Sequence, residues 1–348
     1  MKAQTLLATC VVALVAVCLP LVPSAQTKLQ RAPAQAPSAG TYRVTGPYAY
    51  QNLAVFLIHG PDRLPGQNIL TLAEALKQRK VVVYETREVN TLAIENVSDE
   101  EVFVQSGDIV KGGQQDRMLG VDMIVPPRSG RIPVDAFCVE HGRWTKRGAE
   151  SSGRFDSSTE RAATKDLKVA ANRARSQTEV WNEVARAQDK LSANVGTRVN
   201  SGVSESSFQL ALENQQVQET AANYLKALQH VAADERDVVG YAFAINGEIN
   251  SADVYASSTL FHKLWPSLLK ASAIEAISEL QRGRKFTQVD AAEVRDFLAR
   301  ADQGHTAEER NVSARIQLVT RETETHLLFE TQDRANKQMW LHRSYIKK

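Results

Sequence analysis

The chain has 348 residues, 43% hydrophobic and 24% charged, a composition that supports a sizeable core and excludes disorder as the default state. Its 42 Lys and Arg against 40 Asp and Glu leave a formal charge of +2, too small a global field to recruit nucleic acid or an anionic membrane. Any anion site must be built locally.

Residues 1–25 carry Lys2, an apolar run from Leu6 to Val22, and Pro23-Ser24-Ala25 before Gln26, which is the layout of a secretory signal peptide. The run is short for a bilayer span. Val17 stands where a lipid-attachment signal at Cys18 needs a small residue, and Cys10 is too near the start. A soluble periplasmic or secreted product is therefore expected, with no stable membrane insertion. Cys138 alone remains after signal removal, so an intramolecular disulfide is excluded. Residues 26–40, rich in Ala, Gln and Pro, read as a flexible linker.

From Tyr42 to Val139 short apolar runs punctuated by Gly, Pro, Asn and Asp predict strands at Leu53–Ile58, Val81–Tyr84, Leu92–Glu95, Val102–Val104, Met118–Val125 and Ile132–Val139. Thr71-Leu72-Ala73-Glu74 is a capping box that starts a helix over Leu72–Arg79. After a loop at Gly148–Ser158 the period changes to that of helices. Ser176 to Glu179 is a second capping box, and a further helix is expected from Ser207 to His230. Val238–Ile245 and Glu248–Tyr255 flank Asn246-Gly247, the pair best suited to a type I′ hairpin. A helix capped at Ser257 or Ser258 should run to about Arg282, kinked at Pro266 and closed by Gly283. A helix over Thr287–Arg300 and three strands near Ala314–Val319, Glu324–Glu330 and Gln338–Tyr345 complete the pattern. Strands and helices do not alternate as a doubly wound sheet requires, so the fold class is α+β. The expected partition is an α+β domain over 41–281 and a C-terminal helix with a meander packed on it over 282–348.

The polar residues concentrate between Gly107 and Trp144. Lys111-Gly112-Gly113, with Gln115 and Arg117 following, sets backbone amides free of Cβ beside cations, as either an anion-binding nest or a simple glycine hairpin. Glu140 at a strand end needs a partner. Arg143 supplies one, and Trp144 covers the pair or stacks on a planar ligand. Cys138 falls on the apolar face of its strand and reads as a core thiol. Asp108 and Asp122 are further acids, while His141 faces away from Glu140. From Arg143 to Arg175 basic residues outnumber acids, a solvated face or a positive rim. The chain contains neither common nucleotide-loop fingerprint, nor H-E-x-x-H, nor C-x-x-C, so no metal and no cofactor are expected.

G-D-x-x-x-G-G-x-Q-x-R-x-L, I-P-V-x-x-x-C-V-E-x-G-R-W, S-Q-x-E-V-W and L-W-P-x-L-L, in that order over roughly Gln51 to Ile277, resemble the bacterial and viral domain named for its association with ADP-ribosylglycohydrolases and rhodanese-phosphatases. The resemblance implies an uncharacterised domain concerned with NAD-derived or ADP-ribose-like nucleotides. The matching polar positions are Asp108, Gly112, Gly113, Gln115, Arg117, Cys138, Glu140, Gly142, Arg143, Trp144 and Trp181. Gln114, Asp116 and Asp108 depart from the lysine, asparagine and glutamate usual there. The leading expectation is an exported module binding an anionic nucleotide-like ligand through Lys111, Gly112, Gly113, Gln115, Arg117, Glu140, Arg143, Trp144 and Trp181. The alternatives are a hydrolase with Glu140 or Asp108 as general base, and an envelope interaction protein in which these residues only brace the fold.

Overall fold

The computed structural model describes residues 42–348, except 87, 144, 146, 149, 151, 152, 163, 337 and 338. The signal segment 1–25 and linker 26–40 lie outside the described residues. In chain order the elements are β1 (Arg43–Tyr50), β2 (Leu53–His59), β3 (Leu70–Thr71), α1 (Leu72–Lys77), β4 (Val81–Glu85), β5 (Thr91–Asn96), β6 (Val102–Val104), β7 (Asp108–Gly112), β8 (Arg117–Leu119), β9 (Met123–Val125), β10 (Gly130–Cys138) and β11 (Phe155–Arg161). Then follow α2 (Lys165–Val169), α3 (Gln177–Val195), α4 (Phe208–Leu212), α5 (Gln215–Leu228), β12 (Val238–Ile245), β13 (Glu248–Tyr255), α6 (Ser258–Ser278), α7 (Ala291–Asp302), β14 (His305–Asn311), β15 (Ile316–Glu322), β16 (His326–Asp333) and β17 (Met339–Lys347).

The α+β expectation holds. An eight-stranded sheet has the order β1-β2-β12-β13-β17-β16-β15-β14, a six-stranded sheet β11-β7-β8-β10-β5-β4, and a small third sheet β3-β6-β9. Pairing is antiparallel throughout except between β3 and β6. Every residue of β12 is buried, as its unbroken apolar run requires. The β12–β13 turn follows its sequence signature, with Asn246 at φ 54° and Gly247 at φ 79°, the positive values a type I′ turn demands. α6 packs on β12, β13 and α5. Its buried residues run from Leu260 and Phe261 through Ile274 and Ile277, and it continues through Pro266. The stretches 41–281 and 282–348 are joined in one sheet by the β13–β17 pairing.

Several expected elements differ, each for a local reason. The strand over Met118–Val125 is two strands in different sheets. Between them a Cβ on Gly120 would lie 2.6 Å from the Phe137 ring, and Asp122 turns inward. The helix over Ser207–His230 divides because Asn214 accepts hydrogen bonds from Gln216 N and Val217 N, starting α5 afresh. The expected loop at Gly148–Ser158 leads into β11, which pairs with β7. The last helix starts at Ala291, where Asp290 and Glu293 form a capping box. The meander gains a strand, β14, ahead of the three expected.

Candidate functional site

The glycine loop connects β7 to β8 and is braced by acids of the protein itself. Gly113 has φ 58°, and a Cβ there would lie 2.5 Å from both Glu85 Oε1 and the Phe155 ring. Glu85 Oε1 accepts the Gln114 amide at 2.9 Å, so a carboxylate from the end of β4 occupies the place expected for a bound anion. Arg117, 2% exposed, donates through Nη1 to the Gln115 carbonyl at 3.2 Å and to its Oε1 at 3.3 Å. Its Nη2 lies 3.6 Å from Glu85 Oε2.

Asp116, just ahead of β8, has no exposed surface. Its Oδ1 accepts from Gly112 N at 2.9 Å, while Arg147 donates to both its oxygens at 2.9 and 3.1 Å. Arg143 donates to Glu140 Oε1 at 2.7 Å, and its Nη2 lies 3.8 Å from Asp116. Burial works against the Glu140 carboxylate, but hydrogen bonds from Arg143 and Ser204 and the Arg143 charge outweigh it and hold its pKa below the usual value. Trp181 donates to the Glu140 carbonyl at 3.2 Å and meets the His141 ring edge-on.

The structure thus gathers Gly112, Gly113, Gln115, Arg117, Glu140, Arg143 and Trp181 around the β8 and β10 ends, with Arg117 and Arg143 turned to different acids. Lys111 is held apart by Glu213 at 2.6 Å. Trp144 lies outside the described residues. Asp108 is paired with Arg161 and accepts from Gln105 N at 2.8 Å. Burial raises its pKa against the opposing Arg161 charge. Buried N–H groups of Gln115 (Nε2), Arg117 (Nε) and Arg143 (Nη2) have no acceptor. Cys138 is fully buried, and burial pushes its thiol pKa up, as suits a core thiol. Much of the basic stretch is paired with acids, Arg147, Arg161 and Lys168 inside the fold with Asp116, Asp108 and Asp253, and the exposed Arg173 and Arg175 with Glu322 and Glu308.

A separate cleft of about 240 Å³ opens between α3, α6, the β12–β13 turn and the segment leading to Phe286. Its lining includes Asn250 and Glu275, both nearly buried, the cations Lys165, Arg186, Lys190 and Arg284, and the acids Asp166, Glu183, Glu248 and Glu279, with Arg186 paired to Glu183 and Lys190 to Glu279. Glu275 Oε1 accepts from Lys165 N at 2.9 Å and Asn250 Nδ2 at 3.0 Å. Burial nevertheless raises its pKa to about 7, those hydrogen bonds and the nearby lysines opposing the shift only in part. Asn250 Oδ1 is buried with no hydrogen-bond partner. The sequence pattern alone did not single out this pair. The available signal was a lone carboxyl in the apolar run A-S-A-I-E-A-I-S of α6, since an isolated buried acid needs an explanation.

A third cluster joins three strands or their flanks. His342 lies 2.7 Å from Asp122 through Nδ1 and 3.2 Å from Asp253 through Nε2, and stacks on Tyr255 with ring centroids 4.5 Å apart. Burial disfavours its charged form, but the two carboxylates outweigh that and raise its pKa to about 9. Thr331 and Ser106 N complete the Asp122 shell, leaving both acids occupied. Among the described residues His59, Glu235 and Asp237 have metal-ligand spacing. However, Arg43 Nη2 sits 2.7 Å from His59 Nδ1 and 2.9 Å from Asp237, placing a positive charge where a cation would bind.

An α+β domain with an internally braced glycine loop and a distinct polar cleft is the class of protein that the fold and these sites define. The chain belongs to the family of the ARG and Rhodanese-Phosphatase-superfamily-associated Protein domain, whose sequence model matches residues 41–346. The match therefore takes in the C-terminal strands beyond Ile277, in keeping with their place in the main sheet. No curated protein and no solved structure matches the chain. No helix among the described residues is long and apolar enough to cross a membrane.

Proposed function

We propose that this domain is an exported ligand-binding module and that its anionic nucleotide-like ligand occupies the Glu275 cleft instead of the glycine loop. The observation that carries this reading is the pairing, at the cleft floor, of an unpartnered amide oxygen on Asn250 with the Glu275 carboxyl. Buried polar groups are nearly always satisfied, so an acceptor left without a donor beside the Glu275 carboxyl, just behind the cleft wall, singles out this wall as a candidate functional region. Around it, Arg284 donates to Gln281 at 2.7 Å and lies over the Phe286 ring, and Lys165 reaches the Lys347 carbonyl. Lys165 also faces the Glu275 carboxyl, and the lining carries Asp166, Glu183, Glu248 and Glu279. Arg284, which has no ion-pair partner among the described residues, is therefore the group suited to an anionic ligand, while Phe286 offers a face for a planar one.

The glycine loop is the weaker candidate because Glu85 and Asp116 already take its amides. Calorimetry on the mature chain with AMP, ADP-ribose, NAD and inorganic phosphate tests the reading. Binding that is lost in Arg284→Ala and retained in Lys111→Ala supports it. Absence of binding by all four compounds removes it.

A hydrolase reading is favoured by one observation, the Glu275 carboxyl titrating near neutrality beside a cleft, the range useful to a general base. Glu140 and Asp108 are poorer bases, each being engaged by an arginine. Release of product from ADP-ribose or NAD by wild-type protein, abolished in Glu275→Gln, is the expected result of that alternative.

A further inference from the structure

We propose that His59, Glu235 and Asp237 form a binding site for a divalent transition-metal ion, with zinc the type case, and that the Arg43 guanidinium is the cation a metal displaces from it. The site shares no residue with the lining of the Glu275 cleft and stands independently of the reading of that cleft.

The three residues meet where β1, β2 and β12 lie side by side in the main sheet. His59 closes β2, paired with Arg43 on β1 and with Val238 on β12. Asp237, just ahead of β12, accepts the Gly60 amide at its carbonyl at 3.0 Å, so the backbone fixes where both side chains start. One imidazole nitrogen and one oxygen from each carboxylate lie within 4.8 Å of one another. Metal bonds of about 2.0 to 2.2 Å set donors roughly 3 to 3.4 Å apart. Rotation of the Glu235 side chain, which is exposed and without a partner among the described residues, is enough to close the set.

His59 supplies the observation that points to an ion. Its side chain is 2% exposed, and Nδ1 has two close neighbours of opposite kind, the donor Arg43 Nη2 at 2.7 Å and the acceptor Asp237 Oδ1 at 2.8 Å. A ring nitrogen carries either a proton or a lone pair. With the proton, Nδ1 donates to Asp237 and faces the Arg43 donor with a second donor. With the lone pair, it accepts from Arg43 and confronts the carboxylate oxygen. Either way one contact at hydrogen-bond distance is repulsive. A metal ion in place of the Arg43 nitrogen bonds to Nδ1 and to the carboxylate at once. Thr45 Oγ1, 2.8 Å from Nε2, completes the arrangement, since by accepting the Nε2 proton it sets the tautomer that leaves the Nδ1 lone pair for a metal.

Arg43 is held loosely enough to leave. Its side chain is 59% exposed and that of Asp237 54%, and an ion pair so open to water contributes little. The imidazole donor favours a transition metal over Mg²⁺ or Ca²⁺, which take oxygen ligands. Three protein ligands leave a position for water or an incoming group. His59 and Asp237 stand 178 residues apart in the chain, so no spacing motif announces them.

Calorimetry with Zn²⁺ on the untagged, chelator-washed mature chain tests the proposal, with Mg²⁺ as the control ion. One zinc per chain is expected, bound at least about tenfold more weakly in Asp237→Asn and in Glu235→Gln, since loss of a ligand costs no less than loss of an outer-shell partner. Both substitutions fall on exposed side chains and keep the shape of the residue, so the fold is not at stake. Arg43→Ala, which removes the competing cation, should tighten zinc about threefold, the scale of an exposed ion pair. Absence of zinc binding overturns the proposal. So does zinc binding that either carboxylate variant leaves unchanged, that is no tighter in Arg43→Ala, or that Mg²⁺ equals.

Discussion

Arg147 grips Asp116 through both terminal nitrogens, at 2.9 and 3.1 Å, at a position where Asp116 has no contact with solvent. The same carboxylate accepts Gly112 N, so one acid ties the glycine loop to the segment after β10. Removing one member of a buried ion pair strands the other and costs about 3 to 5 kcal/mol. Asp116→Ala is expected to lose stability on that scale in urea unfolding, with Asp116→Asn, which keeps an acceptor for Gly112 N, losing less. Equal stability of Asp116→Ala and wild type would show that the network does not brace the loop.

Gly113 is constrained by space as well as by backbone. Its positive φ disfavours an L side chain, and the Cβ would press on Glu85 and Phe155. Gly113→Ala should destabilise by about 2 kcal/mol, the scale of local strain plus overpacking. Thermal unfolding would read this as a lowered Tm. An unchanged Tm would mean that the loop is free to open away from Glu85.

His342 makes the fold sensitive to alkaline pH. Its folded pKa of about 9 lies above the ordinary value of about 6.5, so the folded state holds the proton more tightly. The stabilisation is complete below pH 6.5 and is lost as pH rises through 9, amounting to about 3 kcal/mol at most. Urea unfolding from pH 7 to 10 should show wild type losing this increment and His342→Asn lacking it. Parallel curves for the two proteins over that window would contradict a charged His342.

Glu275 carries the opposite lesson for stability. Its folded pKa of about 7 is raised above the usual value of 4.5, so the folded state binds more protons between those limits. Stability conferred by the bound proton is present below pH 4.5 and lost as pH rises through 7. Glu275→Gln avoids ionisation and is expected to exceed wild type in stability at pH 8 by up to about 3 kcal/mol, with the advantage gone at pH 4. No gain at pH 8 would indicate that the carboxylate is well solvated. A residue whose charge weakens the fold, while it opens on a cleft, fits the pattern of stability yielded for function.

Local signals were legible in the sequence. The capping box at Thr71 and Glu74, the Asn246-Gly247 turn and the apolar face of Cys138 all depend on neighbours within a few residues, and all stand in the structure. The glycine loop was also found, but its occupant was not. Glu85 and Arg147 approach from distant parts of the chain, and nothing in the spacing around Lys111 reveals that acids of the protein fill the nest. Asn250, Glu275 and His342 were missed for the same reason, and Asp122 was read only as a further acid, without its partner His342. Each gains its partner only through sheet pairing or helix packing.

Hydrogen exchange measured by mass spectrometry with and without AMP or ADP-ribose tests most directly whether the cleft is the binding site. Protection is expected in 246–250 and 275–286, with little change in 111–117 and 140–147. Protection confined to the glycine loop and the segment after β10, with the cleft unaffected, would contradict the assignment.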